Sequence, residues 1–344
     1  MKEKLDQAII DGKFRTLSFI CACLVALIHV YAQPEAGSWW NVFYGIVGGG
    51  AYGTGGLVRI AVPFFFIASG YYLEAHYEQA SCWRREVIKR VRTLVVPFLV
   101  WATVLLFYYI CKDVLADRSP MHWFGIRQLS SAYGLDLRSA PIGPYWYLRY
   151  LFMLVIISPF VRKLATVPGL IALFILYGAI CPTTWLVTLP CPMFWLYGFS
   201  LLGLFYFTLG IYLRRNPAAL CMKRTPAIVS LASSFVLFVL HYLLLRQGLQ
   251  IEAYACYLGI PLALLGLFNL MSQRPLSRQV ASLGFPLYML HWPMIDALRI
   301  VCGKTCASGG GVILWFLVVS SCVLAIVVFR NCFPGVYRIS FGGR

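Results

Sequence analysis

Three side chains in this sequence fall where a charged or titratable group is costly. His29 closes the uncharged stretch Leu17–Ile28, about fourteen residues or ~21 Å of helix beyond Arg15. Arg59 opens a second apolar stretch, and Arg149 lies near the start of a later one. An Arg at the centre of a membrane helix costs roughly 2.5–3.5 kcal/mol on insertion scales, so such residues point to function. At a common depth the three supply a base and two cations. Imidazole is the side chain matched to removing a proton near neutral pH, and a desolvated guanidinium stabilises developing negative charge. A transporter or flippase would use the same set to relay protons or hold an anionic headgroup. A second cluster, Arg84, Arg85, Lys89, Arg90 and Arg92, precedes the third apolar stretch. It reads either as a topology signal in contact with lipid headgroups or as a seat for an anionic ligand bearing phosphates, which suit guanidinium forks.

The elements that must carry these groups follow from composition. Of 344 residues, 60% are apolar and 12% charged, against about 45–50% and 25% in soluble domains. So few charges cannot coat a water-exposed surface. Stretches of about 20 apolar residues, the length of a membrane-crossing helix, fall near 15–32, 57–75, 93–111, 144–161, 164–181, 193–213, 226–245, 252–271, 280–301 and 311–330. The expected fold is an all-α integral membrane protein of ten transmembrane helices, forming one domain over residues 1–344.

A formal net charge of +17 would raise nucleic acid as a partner for a soluble protein. Here, however, twenty of the 29 Lys and Arg fall in segments on one side of these spans and six on the other. That split is the positive-inside rule. Both termini are therefore expected in the cytoplasm, the location is the inner (plasma) membrane, and the partners include membrane lipid but not nucleic acid. A homo-oligomer stays open. The basic start, the apolar stretch and Val30-Tyr31-Ala32 imitate a cleavable secretory signal, yet nine further spans follow, so residues 15–32 are read as the first span.

Other apparent motifs are set aside. Gly48, Gly50 and Gly53 spell G-x-G-x-x-G in a loop with no preceding strand, and Gly303-Lys304-Thr305 lacks the upstream glycine of a phosphate loop. His76 and His122 are expected in polar loops, and His241 within the seventh span as a packed, hydrogen-bonded residue. Most of the 12 cysteines fall within spans as small apolar side chains. Cys302 with Cys306, and Cys181 with Cys191, fall in outward loops where a disulfide is permitted. No cysteine and histidine set has zinc spacing, so no metal is expected.

Short motifs spread along the chain carry a resemblance. They are Leu24-Val25-Ala26-Leu27-Ile28-His29, Arg59-Ile60-Ala61-Val62-Pro63-Phe64-Phe65-Phe66-Ile67-Ala68-Ser69-Gly70-Tyr71, and Lys89-Arg90-Val91-Arg92 ahead of Pro97. Further on come Pro144-Tyr145-Trp146-Tyr147-Leu148-Arg149, Phe205-Tyr206-Phe207-Thr208-Leu209-Gly210, Leu290-His291-Trp292-Pro293 and Phe333-Pro334 leading to Gly342-Gly343-Arg344. In order and membrane placement the set resembles acyltransferase family 3, the multi-spanning membrane O-acyltransferases. The resemblance implies transfer of an acyl group, acetyl being expected, from cytoplasmic acyl-CoA to a hydroxyl of a cell-envelope saccharide or a lipid-linked sugar. Acyl-CoA is then a co-substrate, and no cofactor is bound permanently.

The chain departs from the family pattern in two places. The basic residue common eleven positions before the first-span histidine is Ser18, with Arg15 one turn earlier, and the acidic residue often following the fourth-span arginine is Tyr150. On this reading His29 is the general base and Arg149 or Arg59 stabilises the oxyanion. Arg90, Arg92 and Arg15 hold the donor. Trp146, Tyr147 and His291 contact substrate, with Tyr145 able to stack on a sugar ring, although interfacial aromatics need no such purpose. Ser69 either carries an acyl intermediate or, with Gly70, marks a close helix contact.

Overall fold

The computed structural model describes residues 2–30, 57–78, 82–133, 143–180, 201–246, 252–272, 275–302 and 311–343. Every regular element among them is helical. The longer ones are α1 Lys2–His29, α2 Ala61–Glu78, α3 Trp83–Arg90, α4 Val96–Leu115, α5 Ile126–Ala132, α6 Trp146–Ile156 and α7 Val167–Ile180. They continue with α8 Leu201–Arg215, α9 Arg224–Arg246, α10 Glu252–Leu270, α11 Gly284–Cys302, α12 Gly311–Cys332 and α13 Pro334–Ser340. Among the described residues three helices are long and apolar enough to cross a membrane, Trp83–Leu115, Arg224–His241 and Gly311–Cys332, and a bent pair, Ser158–Leu164 with Val167–Leu176, makes a fourth if counted as one span. The described residues are those of an all-α membrane protein, helical in the described parts of the expected apolar stretches.

Two expected elements differ in detail. The stretch 144–161 is not one straight helix: α6 stops at Ile156, and Pro159 follows two residues after Ile157. A proline has no N–H to continue the ladder, so the chain turns before resuming. His76, expected in a loop, belongs to the last turn of α2, and His122 to a 3₁₀ turn, Pro120–Phe124.

Close helix contact at glycine sets the central packing. A Cβ on Gly70 of α2 would strike the Phe207 carbonyl, and one on Gly210 of α8 the Ile67 carbonyl. The two helices thus approach through reciprocal glycines, the small-residue device of membrane helix pairs. Of the two readings of the Ser69-Gly70 pair, the contact is the one seen for Gly70.

α3 and α4 are joined by a π turn, Val91–Val95, in which the Val96 N–H reaches back to the Val91 carbonyl. The missing N–H of Pro97 explains the loosened winding just before it. Onto this turn folds the C-terminus. Trp101 of α4 donates its indole N–H to the Ser340 carbonyl at 3.0 Å and packs on Phe341 at 5.6 Å. Gly342 follows with φ +67°, and a Cβ there would lie 2.8 Å from Thr93 Cα, so this is a position only glycine fits without strain.

Ion pairs tie the ends of the bundle. Glu74, 4% exposed, takes Arg162 through both carboxylate oxygens at 2.6 and 2.9 Å and Arg215 at 2.9 Å. Arg214 meets Glu78 at 2.6 Å. At the opposite end Lys112 of α4 meets Asp296 of α11 at 2.7 Å, and Tyr108 donates to the same carboxylate.

Candidate active site

A cavity of about 680 Å³ runs between α1, α2, α3, α6 and α11. Its mouth is polar and mostly basic. α1 contributes Asp11, Arg15 and Ser18, the end of α2 His76, and α3 with its π turn Lys89, Arg90 and Thr93. Arg278 and the Gly342-Gly343 turn complete it. Ser277 caps the short helix that carries Arg278, its hydroxyl accepting the Val280 N–H, the usual role of serine at an N-cap. Three buried polar atoms of this lining, Nε of Arg15, Nε of Arg90 and Oγ1 of Thr93, have no hydrogen-bond partner among the described residues. Buried donors are normally satisfied, so a mouth with several left over is suited to an anionic ligand with many acceptors.

The inner end is aromatic. The rings of Phe65, Tyr147 and Tyr288 stand about the cavity wall 6.0–6.3 Å apart. The Tyr147 and Ser69 hydroxyls lie 3.3 Å apart. Two backbone bonds fix this wall: the Tyr145 hydroxyl donates to the Met289 carbonyl and the Tyr288 hydroxyl to the Pro144 carbonyl. Together they staple the start of α6 to α11.

Beyond Tyr288 lie the two histidines. The His291 ring is 5.8 Å from that of Tyr288 and 5.3 Å from that of His29. The edge of Trp292 packs on His29 at 5.2 Å. Arg299, about two turns further along α11, donates to the His29 and Val30 carbonyls at 3.3 and 3.2 Å. These carbonyls end α1, and a cation there satisfies groups the helix leaves open.

The residues singled out from sequence thus separate. Arg15, Arg90 and Tyr147 line the cavity, and His29 and His291 meet at its far end. Arg92 lies instead in an adjoining cavity of about 580 Å³ with Arg85 and Arg338, and the two cavities share Lys89, Thr93, Gly342 and Gly343. Trp146 packs on Phe66 at 6.5 Å rather than lining either cavity. Arg149 is half-buried on α6 and also lies outside both linings. The Arg59 side chain, the glycine run at 48–53 and residues Cys181, Cys191 and Cys306 lie outside the described residues.

Both departures from the family pattern are visible. Ser18 and Arg15 line the same wall, so the arginine brings its charge to the cavity from one turn away. Tyr150 is fully buried against Phe66, with Gly203 beside it. Sequence reasoning missed Arg278, Tyr288, Arg299 and the Gly342-Gly343 turn as parts of the site. Arg278 was legible only as a topological charge. Tyr288 stands one helical turn before His291, a spacing that puts both on one face.

Compared with known proteins, the chain matches the family model of the acyltransferase domain over residues 15–330. No curated protein and no solved structure matches it.

Proposed function

The chain belongs to the acyltransferase domain family, and from that premise we propose that it moves an acyl group, acetyl in the first instance, from cytoplasmic acyl-CoA to a hydroxyl of a cell-envelope saccharide or lipid-linked sugar. The protein is a membrane acyltransferase; donor, acyl group and acceptor are our reading. The observation that carries it is the cavity whose mouth holds Arg15, Lys89, Arg90 and Arg278 and whose aromatic inner end abuts His291 and His29. A donor with phosphates at one end and a thioester at the other fits that polarity. Arg15 and Arg90, with Arg92 in the adjoining cavity, hold phosphates, while the pantetheine arm extends past Ser69 and Tyr147.

The mouth gathers residues from segments that the charge rule assigns to one side, which supports the cytoplasm as the donor's side, ten crossings with both termini inside, and the inner membrane as the location. His29 ends α1 away from that mouth and meets the acceptor. There an alcohol is a poor nucleophile until a base takes its proton. His29 is that base, and direct attack on the thioester is favoured over an intermediate on Ser69, whose hydroxyl is shared with Tyr147. Arg149 and Arg59 remain proposed oxyanion stabilisers that act once substrate is bound.

The test is mass measurement of envelope saccharides and lipids from cells making the wild-type protein, His29→Ala, or neither. Added acyl mass is expected with the wild type alone, the variant losing at least roughly 10²–10⁴-fold in transfer while still binding acyl-CoA. Absence of added mass on any acceptor with the wild type, or a normal rate with His29→Ala, overturns the reading.

A further inference from the structure

His291 is fully buried in α11. Its Nδ1 faces the Tyr288 carbonyl at 2.5 Å. A carbonyl only accepts, so Nδ1 carries the proton, and in the neutral ring Nε2 keeps a lone pair. That nitrogen is buried with no hydrogen-bond partner among the described residues. A buried acceptor with nothing to accept is costly, and packing alone would be served by an apolar ring. The ring it lies beside is that of His29, 5.3 Å away between centroids. On its other side is Tyr288, which lines the cavity.

We propose that His291 is a second proton carrier of the site, standing between His29 and the sulfur of the acyl donor. The proposal rests on the acyl-transfer reading above. Transfer must move one proton from the acceptor oxygen, which meets His29, to the donor sulfur, which arrives through the cavity. The acceptor O–H bond breaks as an N–H bond forms on His29. The oxygen bonds to the thioester carbonyl carbon, and the carbon–sulfur bond breaks to release a thiolate. The His29 imidazolium passes its other ring proton to Nε2 of His291, and that proton then goes to the thiolate. Hydroxyl and thioester become ester and thiol. His29 is left as the other neutral tautomer, which proton exchange through a water molecule converts back before the next turnover, and both imidazoles end neutral.

Other titratable groups stand around the pair, among them Cys322, buried on α12, and Asp296 of α11, paired with Lys112 of α4. Tyr145 precedes α6 and bonds the Met289 carbonyl, Tyr147 of α6 packs on Tyr288, and Tyr109 of α4 accepts the Trp292 indole N–H. Arg299 holds the carbonyls of His29 and Val30. Tyrosine and arginine ordinarily keep their protons unchanged near neutrality, so the two imidazoles are the side chains of this cluster with the chemistry to pass a proton on.

The test uses full-length protein in nanodiscs, labelled with ¹⁵N-histidine, of which the chain has 5. His291→Phe keeps a ring and removes both nitrogens. His291→Asn keeps a donor for the Tyr288 carbonyl but cannot relay a proton. In the wild type His291 shows the Nδ1–H tautomer. In His291→Phe the titration midpoint of His29 falls by about half a pH unit or more, because its imidazolium has lost an acceptor. In His291→Asn acyl transfer falls at least roughly tenfold, below the usual range for a lost acid–base group, while acyl-CoA affinity holds within about twofold. An unchanged His29 midpoint in His291→Phe, or wild-type transfer by His291→Asn, overturns the role of His291 alone. A wild type that transfers no acyl group overturns the acyl-transfer reading and this role with it.

Discussion

Two sets of arginines at the same end of the molecule differ in what faces them. Arg162, Arg214 and Arg215 are matched to Glu74 and Glu78 at 2.6–2.9 Å. Arg15 and Arg90 face a cavity in which Asp11 is the single carboxylate of the lining, and each keeps a buried Nε without a hydrogen-bond partner among the described residues. All five carry the same charge and satisfy the same positive-inside rule. The first set joins α2, the turn after α6 and α8; the second is the set we propose to meet a donor entering from solution. A guanidinium's neighbours, not its presence, therefore separate structure from site.

The largest effect that sharpens this contrast is in the closed set. Glu74→Ala removes the buried carboxylate shared by half-buried Arg162 and exposed Arg215; breaking a fully buried pair costs about 3–5 kcal/mol, and solvent around the two guanidiniums brings the loss below that. A large fall in melting temperature is expected, with or without acyl-CoA. A stability close to wild type would break the comparison, because Glu74 would then be no anchor.

The open set should behave oppositely. Arg90→Met removes a half-buried charge that feels Glu86 only through space, so stability changes little, while acyl-CoA affinity falls by about 1.5–3 kcal/mol, or roughly ten- to a hundredfold. The wild-type affinity also weakens as salt rises. Calorimetric titration of both proteins checks this. Unchanged affinity would return Arg90 to a topological role.

A smaller effect is expected where the C-terminus closes on the mouth. Gly342 has φ +67° and lies against Thr93, whereas Gly343 has φ +77° and open space where a Cβ would stand. Alanine at either costs about 1–2 kcal/mol for the left-handed backbone, and alanine at Gly342 adds a clash. The difference between the two variants in melting temperature and in donor affinity isolates the contact with Thr93. Equal behaviour would remove the C-terminal turn from the site.

The sequence made one part of this legible and hid another. The helical membrane character followed from the scarcity of charge, and His29 from its position after Leu17–Ile28. The Lys89-Arg90-Val91-Arg92 run marked the cavity mouth but not that its arginines part company, because the π turn begins at Val91, between them, and sends Arg92 to the adjoining cavity. Winding of that kind has no period to read in one dimension. Arg278, Arg299 and Gly342 come from elements far apart in the chain, and only tertiary packing brings them to Arg15, His29 and Thr93. Trp146 adjoins Tyr147 in sequence, but its ring packs on Phe66 and is not among the residues that line the cavity, a difference that adjacency in sequence cannot show.

His76 touches both environments, and its expected effect is the smallest. Beyond the apolar part of α2, its ring faces the Glu86 carboxylate through Nδ1 at 3.1 Å and the Lys89 ammonium through Nε2 at 3.2 Å, and it lines the cavity mouth. An ammonium only donates, so Nε2 accepts and Nδ1–H is given to Glu86. Burial, aided by the charges of Lys89 and Arg90 and opposed by Glu86, holds this imidazole below the ordinary histidine value. The sign follows. Above about pH 6.5, the unfolded value, both states are neutral and the contacts are intact. As pH falls below it, the unfolded chain takes up a proton that the folded ring refuses, so stability declines down to the depressed folded value and then levels. The wild-type melting temperature should therefore drop between pH 7 and 5, and His76→Asn should flatten that part of the profile. A donor's phosphates at the mouth would favour the protonated ring, so acyl-CoA binding near pH 6 should draw in a fraction of a proton, read from titrations in buffers of different ionisation enthalpy. If His76→Asn keeps the full slope, or if binding takes up no proton, His76 belongs with the closed set and the mouth is less electropositive than its lining suggests.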